Sequence, residues 1–90
     1  MIFLSSPDCN ICKELKPRVK RLLEDEFPKI QMFIIDAELN PELSGQLKVF
    51  SFPTILLFFE GKEYVRLGRY FGMNNFRDDL QRLYSLFFNP

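Results

Sequence analysis

The chain has 90 residues, of which 47% are hydrophobic, and its acidic and basic side chains balance to a net charge of zero. This length predicts one domain over residues 1–90, and the zero charge argues against nucleic acid or an anionic membrane as a partner. Because the chain contains no histidine, histidine acid–base catalysis and histidine metal ligation are excluded.

The first half of the chain predicts two strands and two helices in alternation. Residues 1–4 are an apolar run, which is typical of a strand buried on both faces. Apolar residues at helical spacing over residues 9–27 predict a long helix that ends at a proline. Residues 31–36 predict a second buried strand. The Asn-Pro-Glu sequence at 40–42 predicts the start of a short helix that ends near Val49.

The second half predicts a hairpin followed by a helix. Residues 54–60 predict a third strand, and the turn residue Gly61 leads into a fourth strand over 63–70, so these two strands should pair as a hairpin. A last helix begins near Asn75. The order β-α-β-α-β-β-α, with a right-handed crossover between the first two strands, predicts an α/β fold with a four-stranded mixed sheet flanked by helices.

The only two cysteines, Cys9 and Cys12, form a C-x-x-C motif between the first strand and the first helix. In that position the motif indicates redox chemistry. A thiolate at a helix N-terminus is stabilised by the free N–H groups and the helix dipole, and a thiol three residues later is close enough to close a disulfide. By position, Cys9 is predicted to be the exposed nucleophile and Cys12 the buried thiol that resolves the mixed disulfide.

Three other uses of the two cysteines stay open. A closed structural zinc site needs four ligands, so metal binding would require two chains that together supply four thiolates or bridge an iron–sulfur cluster. The thiols could instead be inert and fill space as small hydrophobic groups. The domain could also be a binding module that holds a partner without turning over a disulfide.

The sequence as a whole resembles the thioredoxin superfamily. The resemblance extends over essentially all 90 residues, beginning at what would be the second strand of a full thioredoxin. It depends on the C-x-x-C motif, on a helix proline five residues after it, on a Phe-Pro-Thr sequence before the third strand, and on two glycines that flank the fourth strand. These features are Cys9–Cys12, Pro17, Phe52-Pro53-Thr54, Gly61 and Gly68.

The resemblance implies a thioredoxin-like fold that lacks the N-terminal strand and helix, and a thiol–disulfide oxidoreductase. It implies a cis peptide bond between Phe52 and Pro53, although a proline at the first residue of a strand is also common without one. Phe52, Pro53 and Thr54 would then form the substrate-binding segment. The substrate would be a protein or small-molecule disulfide, with an unidentified electron donor and no cofactor beyond the Cys9–Cys12 disulfide. We expect a cytoplasmic monomer.

The sequence departs from the family's pattern at several positions, including the Asn-Ile pair between the cysteines and the Arg-Tyr-Phe-Gly sequence after Gly68. Phe3 occupies the place of a buried acid that is thought to take the proton of the second cysteine, so resolution of the mixed disulfide is expected to be slow near neutral pH. Asp36, at the end of the second strand, is the nearest replacement by topology. Asp8 replaces a tryptophan; its side chain is expected to cap the first helix, while its charge is expected to oppose a thiolate at Cys9.

Overall fold

The computed structural model describes residues 1–88; residues 89 and 90, which close the predicted domain, lie outside this range. None of its helices is long and apolar enough to cross a membrane. The chain forms seven elements in the predicted order: β1 (Ile2–Ser5), α1 (Asn10–Glu26), β2 (Phe33–Asp36), α2 (Pro41–Gln46), β3 (Thr54–Phe59), β4 (Lys62–Leu67) and α3 (Met73–Phe88).

The four strands form one mixed sheet in the order β2-β1-β3-β4. β1 and β2 are parallel, β1 and β3 are antiparallel, and β3 and β4 form the antiparallel hairpin. The hairpin turns at Glu60 and Gly61, which both have positive φ values of 53° and 77°, the backbone geometry that a two-residue turn needs between right-twisted strands. This confirms the α/β architecture predicted from the pattern of elements.

Two apolar clusters lie on opposite faces of the sheet because alternate strand residues point to opposite sides. On one face Phe3, Ile55 and Leu57 pack in a cluster with the buried residues of α1 and α3. On the other face Leu4 and Leu56 pack with Val49, which follows α2. The long helices therefore share one face, and the smaller α2 covers part of the other.

The prediction that β2 is a buried strand was wrong. β2 pairs only with β1 and forms one edge of the sheet. Phe33 and Ile34 are 56% and 47% exposed. An apolar run does not report the position of a strand in its sheet, and an edge strand with one neighbour leaves much of its surface open.

Most predicted ends moved by one or more residues, and β2 begins at Phe33 instead of residue 31. α2 ends at Gln46 instead of near Val49, and α3 begins at Met73, two residues before Asn75. β4 ends at Leu67, so residues 68–72 form a connection between β4 and α3 where the sequence predicted the end of a strand. This connection matters because it lies beside the two cysteines.

Candidate active site

Four connections meet at one end of the sheet. Because β1 and β2 are parallel, both end at the same edge, and the antiparallel β3 begins there while β4 ends there. The connections are therefore neighbours although they are far apart in the sequence: residues 6–9, 37–40, 47–53 and 68–72. This is the end of the sheet at which the C-x-x-C motif lies.

Cys9 is positioned by a turn and is itself the N-cap of α1. Its N–H donates to the carbonyl of Ser6 at 3.1 Å, and its Sγ accepts a hydrogen bond from the N–H of Cys12 at 3.1 Å. The helix therefore begins at Asn10, and the prediction that Asp8 caps it was wrong. A sulfur at the N-cap lies where the unpaired N–H groups of the first turn stabilise negative charge.

The two cysteines form a disulfide, with 5.3 Å between their Cα atoms. Cys12 is 2% exposed, as predicted for the resolving thiol. Cys9, however, is only 4% exposed, so the prediction of an exposed sulfur was wrong. Both lie in the same apolar cluster as Phe52, Phe71 and other residues of the neighbouring connections. The burial of Cys9 therefore arises from the folded structure, and residues 8–12 alone do not reveal it.

The Phe-Pro-Thr segment lies in the connection before β3, at the same end of the sheet as the cysteines. The peptide bond between Phe52 and Pro53 is cis. Phe52 is half-buried and packs against both apolar clusters, whereas Pro53 is fully buried. Thr54 is buried too, and its hydroxyl donates to the carbonyl of Ser51 at 2.8 Å. Within residues 1–88 the Phe52 N–H makes no hydrogen bond to another backbone group, so this donor has no backbone partner.

No carboxylate lies beneath the disulfide in the part of the chain that the structure describes. Phe3 is fully buried in the cluster that contains both cysteines. Asp36 is half-buried at the end of β2, where its Oδ1 accepts from the N–H of Glu38 at 2.9 Å. Asp36 therefore caps the turn after its own strand, and its local hydrogen bond does not involve either cysteine.

Several features near the site were not predicted from the sequence. An apolar cavity of about 260 Å³ lies between α2 and the connection before β3. Phe50 and Tyr70 are 82% and 89% exposed at this end of the sheet. Arg69 donates from Nε to the carbonyl of Phe52 at 3.3 Å. Phe50 could have been noticed in the sequence as an apolar residue outside the predicted helices and strands, whereas Tyr70 fell at the end of the predicted fourth strand; the arginine contact has no sequence signal.

Arg66 of β4 binds the connection that follows α2. Its guanidinium pairs with Glu63 at 2.9 Å and donates to the carbonyls of Leu47 and Lys48 at 2.8 and 3.2 Å. Hydrogen bonding to Arg66 lowers the pKa of Glu63. The arginine thus holds the chain after α2 against β4, on the way to the Phe-Pro-Thr segment.

A metal site within one chain finds no support in the structure. Among residues 1–88, no three Cys, Asp or Glu side chains are grouped so that they could hold a metal ion. At this end of the sheet lie two cysteines at a helix N-terminus, an apolar surround and a backbone N–H that has no backbone partner among the described residues. This arrangement can exchange thiols and disulfides.

Comparison with known proteins agrees with this chemistry. The family model described as thioredoxin matches residues 1–83. The thioredoxin-like protein YdfQ of Bacillus subtilis is 34% identical over 96% of this chain and 76% of its own length, and the thioredoxin of Chlamydia muridarum is 35% identical over 86% of this chain and 71% of its own length. These matches, with the cysteines at disulfide distance, support thiol–disulfide oxidoreductase chemistry in general terms.

The fold comparison agrees as well. The structure of thioredoxin 1 from Thermosipho africanus TCF52B superimposes with a TM-score of 0.85 at 22% identity, covering 94% of this chain and 93% of that one. The four-stranded mixed sheet with three helices is thus a thioredoxin fold. From the family match, the relatives and this superposition together, we conclude that the chain belongs to the thioredoxin family.

Proposed function

We propose that this protein is a thiol–disulfide oxidoreductase in which Cys9 attacks the substrate and Cys12 resolves the mixed disulfide. The observation that carries the proposal is the Cys9–Cys12 disulfide at the N-terminus of α1, with the Cys12 N–H donating to the Cys9 sulfur. A thiolate at Cys9 would keep that hydrogen bond and be stabilised by it, since hydrogen bonds to an ionised acceptor are stronger than neutral ones.

The reaction balances without a cofactor. The Cys9 thiolate attacks one sulfur of a substrate disulfide, which forms a Cys9–substrate disulfide and releases the first substrate thiolate. After losing its proton, Cys12 attacks the Cys9 sulfur, which closes the Cys9–Cys12 disulfide and releases the second substrate thiolate. The substrate gains two electrons and the cysteine pair loses two. A dithiol donor reverses these steps on the protein and restores the reduced pair.

The surroundings of the two sulfurs support these roles. Cys9 is the N-cap, so its sulfur meets the positive end of the helix dipole. Cys12 lies within the first turn and belongs to the apolar cluster around Phe3. A thiol among apolar groups gives up its proton less readily than one at a helix N-terminus. Cys9 is therefore the first thiolate available, and Cys12 reacts second.

Phe52 provides the docking segment in this proposal. Its N–H has no backbone partner within residues 1–88 and lies in a connection at the same end of the sheet as the disulfide, and an extended substrate chain could hydrogen-bond to the Phe52 backbone as an added strand. The half-buried Phe52 ring and the buried Pro53 hold that backbone in place. The substrate class is thus a disulfide in an extended polypeptide segment, which matches the apolar surface at this end of the sheet.

Trapping tests the assignment of roles. Reduced Cys12→Ser protein mixed with a peptide disulfide should accumulate one mixed disulfide through Cys9, because no second thiol can resolve it. The matched variant Cys9→Ser keeps one thiol in the same turn and should trap far less. Intact mass under non-reducing conditions, followed by peptide mapping, measures both. Equal trapping by the two variants would show that the roles are wrongly assigned.

The low exposure of Cys9 favours a second candidate. A sulfur that is 4% exposed offers little surface to a substrate, so the domain could bind partners through the Phe52 surface without turnover. The two candidates differ in one measurement: the oxidoreductase reduces many equivalents of a peptide disulfide when a dithiol is supplied, whereas the binding module gives at most one. A rate no higher than that of the dithiol alone, from protein shown to be reduced, would favour the binding module.

A further inference from the structure

Arg69 occupies the backbone acceptor that substrate docking requires. Arg69 lies in the exposed connection between β4 and α3, and its Nε donates to the carbonyl of Phe52 at 3.3 Å. In strand addition both the N–H and the carbonyl of the docking residue bond to the incoming chain. The Phe52 N–H has no backbone partner in the described part of the chain, but its carbonyl already has a guanidinium partner.

The other donors of Arg69 have no acidic partner in the part of the chain that the structure describes. Its guanidinium forms no ion pair there, and its Nε bond to Phe52 uses one of five N–H donors. Arg66, three residues earlier, differs in this respect because its donors bind Glu63 and the two carbonyls after α2. Arg66 is therefore committed to the fold, whereas the guanidinium of Arg69 is held beside the docking segment with donors to spare.

We propose that Arg69 is a specificity-determining residue that selects substrate disulfides flanked by a carboxylate. When a substrate chain docks on Phe52, its N–H replaces Nε at the carbonyl, and the guanidinium turns to a Glu or Asp side chain of that chain. The planar fork of arginine suits a carboxylate through two parallel hydrogen bonds. The proposal rests on the proposed oxidoreductase function and deepens it by naming the substrate class.

The alternative is that Arg69 only closes the site. A guanidinium that merely blocks the Phe52 carbonyl would slow all substrates equally and would not distinguish their charge. Asp8, exposed just before Cys9, would repel a substrate acid on its own side of the disulfide. The carboxylate that Arg69 selects should therefore lie on the side of the substrate cysteine that docks on Phe52.

Two series of three peptides, which differ within a series in one side chain, test the proposal. Each is an extended peptide with one cysteine linked as a disulfide to thionitrobenzoate, and the residue two positions from that cysteine is Glu, Gln or Lys, placed before it in one series and after it in another. The rate constant for thionitrobenzoate release by reduced protein is measured at low ionic strength. In one series the native protein should favour Glu over Gln by about twofold to fivefold, the range of an exposed ion pair, and salt should reduce this ratio.

Variants separate charge selection from a general effect on rate. Arg69→Gln should bring the Glu-to-Gln ratio to about one, and Arg69→Lys should restore part of it because the positive charge returns. Arg82→Gln removes an arginine from the exposed face of α3 and should leave the ratio as in the native protein.

Two results overturn the proposal in different ways. Equal rates for Glu and Gln peptides in both series, or a preference that survives Arg69→Gln, overturn the role of Arg69 but leave the oxidoreductase in place. Failure of the native protein to release thionitrobenzoate from any peptide overturns both the role of Arg69 and the proposed function.

Discussion

The replacement of a buried acid by Phe3 leads to a kinetic prediction for the second step of the reaction. Phe3 is fully buried in the cluster that holds both cysteines, and the nearest acid by topology, Asp36, is bonded to its own turn. Within the described residues, no carboxylate there accepts the proton of Cys12. Resolution of the mixed disulfide should therefore depend on spontaneous loss of that proton and should accelerate as the pH rises.

The size of this effect follows from thiol ionisation. A thiol with the ordinary pKa of about 8.5 is only about 3% thiolate at pH 7, so full deprotonation can raise the rate by about 30-fold. Burial among apolar groups shifts deprotonation to still higher pH, which makes about 30-fold a lower bound. Below the thiol's own pKa the rate should rise about tenfold per pH unit.

Quenched-flow measurement from pH 6 to 9 provides the assay. Reduced protein is mixed with excess peptide disulfide, acid stops the reaction, and mass spectrometry follows the decay of the mixed disulfide. Phe3→Asp should speed that decay near pH 7 relative to Phe3→Asn. The asparagine side chain has nearly the same shape as aspartate but cannot take a proton. Both variants remove a buried aromatic ring, which typically lowers folding stability by about 3–5 kcal/mol. They are therefore compared under conditions in which both remain folded.

The pH profile of the native protein shows whether loss of the Cys12 proton limits resolution, even if neither variant folds. A flat profile between pH 6 and 9 would show that another group handles the proton and that the interpretation of Phe3 is mistaken. A steep native profile with no advantage of Phe3→Asp over Phe3→Asn would show that proton loss is limiting but that a carboxylate at this position does not relieve it.

Further predictions concern the stability of the fold around the site, each measured by urea unfolding. Arg66→Ala should lower the free energy of unfolding by about 1–2 kcal/mol because it removes an ion pair and two hydrogen bonds to the carbonyls after α2. Arg21 is more exposed and has one 3.9 Å contact, so Arg21→Ala should change stability by less than about 0.5 kcal/mol. Equal losses would contradict the role of Arg66 in holding the chain after α2 against β4. The folded state lowers the pKa of Glu63 below its ordinary value of 4.5. The ionised Glu63 therefore contributes to folding stability above pH 4.5, and this contribution is lost as the pH falls through the pKa of Glu63 in the folded state. Native protein should therefore lose its advantage over Glu63→Gln between pH 6 and 3, and a constant difference would refute this. Leu80→Ala should cost about 2–5 kcal/mol, whereas Leu86→Ala on the exposed face should cost far less; similar costs would refute the assigned helix face.

The sequence by itself determined the features that depend on local chemistry. The alternation of strands and helices follows from hydrophobic periods of two and 3.6 residues, the β3–β4 hairpin from the turn residue Gly61, and the redox site from two cysteines three residues apart between a strand and a helix. These signals lie within single elements or adjacent ones. The parallel pairing of β1 and β2 followed as well, because a crossover helix leaves the chain no other common arrangement.

Only the tertiary structure decided how remote segments meet at the site. β2 looked buried because Phe33 and Ile34 are apolar, but an edge strand is recognised only from its neighbours in the sheet. Cys9 was predicted to be exposed, but it is buried in an apolar cluster that includes residues far from it in the sequence. The contact of Arg69 with the Phe52 carbonyl joins residues 17 positions apart. Burial and long-range contacts depend on which connections the strand order brings to the same edge of the sheet. The local hydrophobic periodicity of the sequence does not indicate that order.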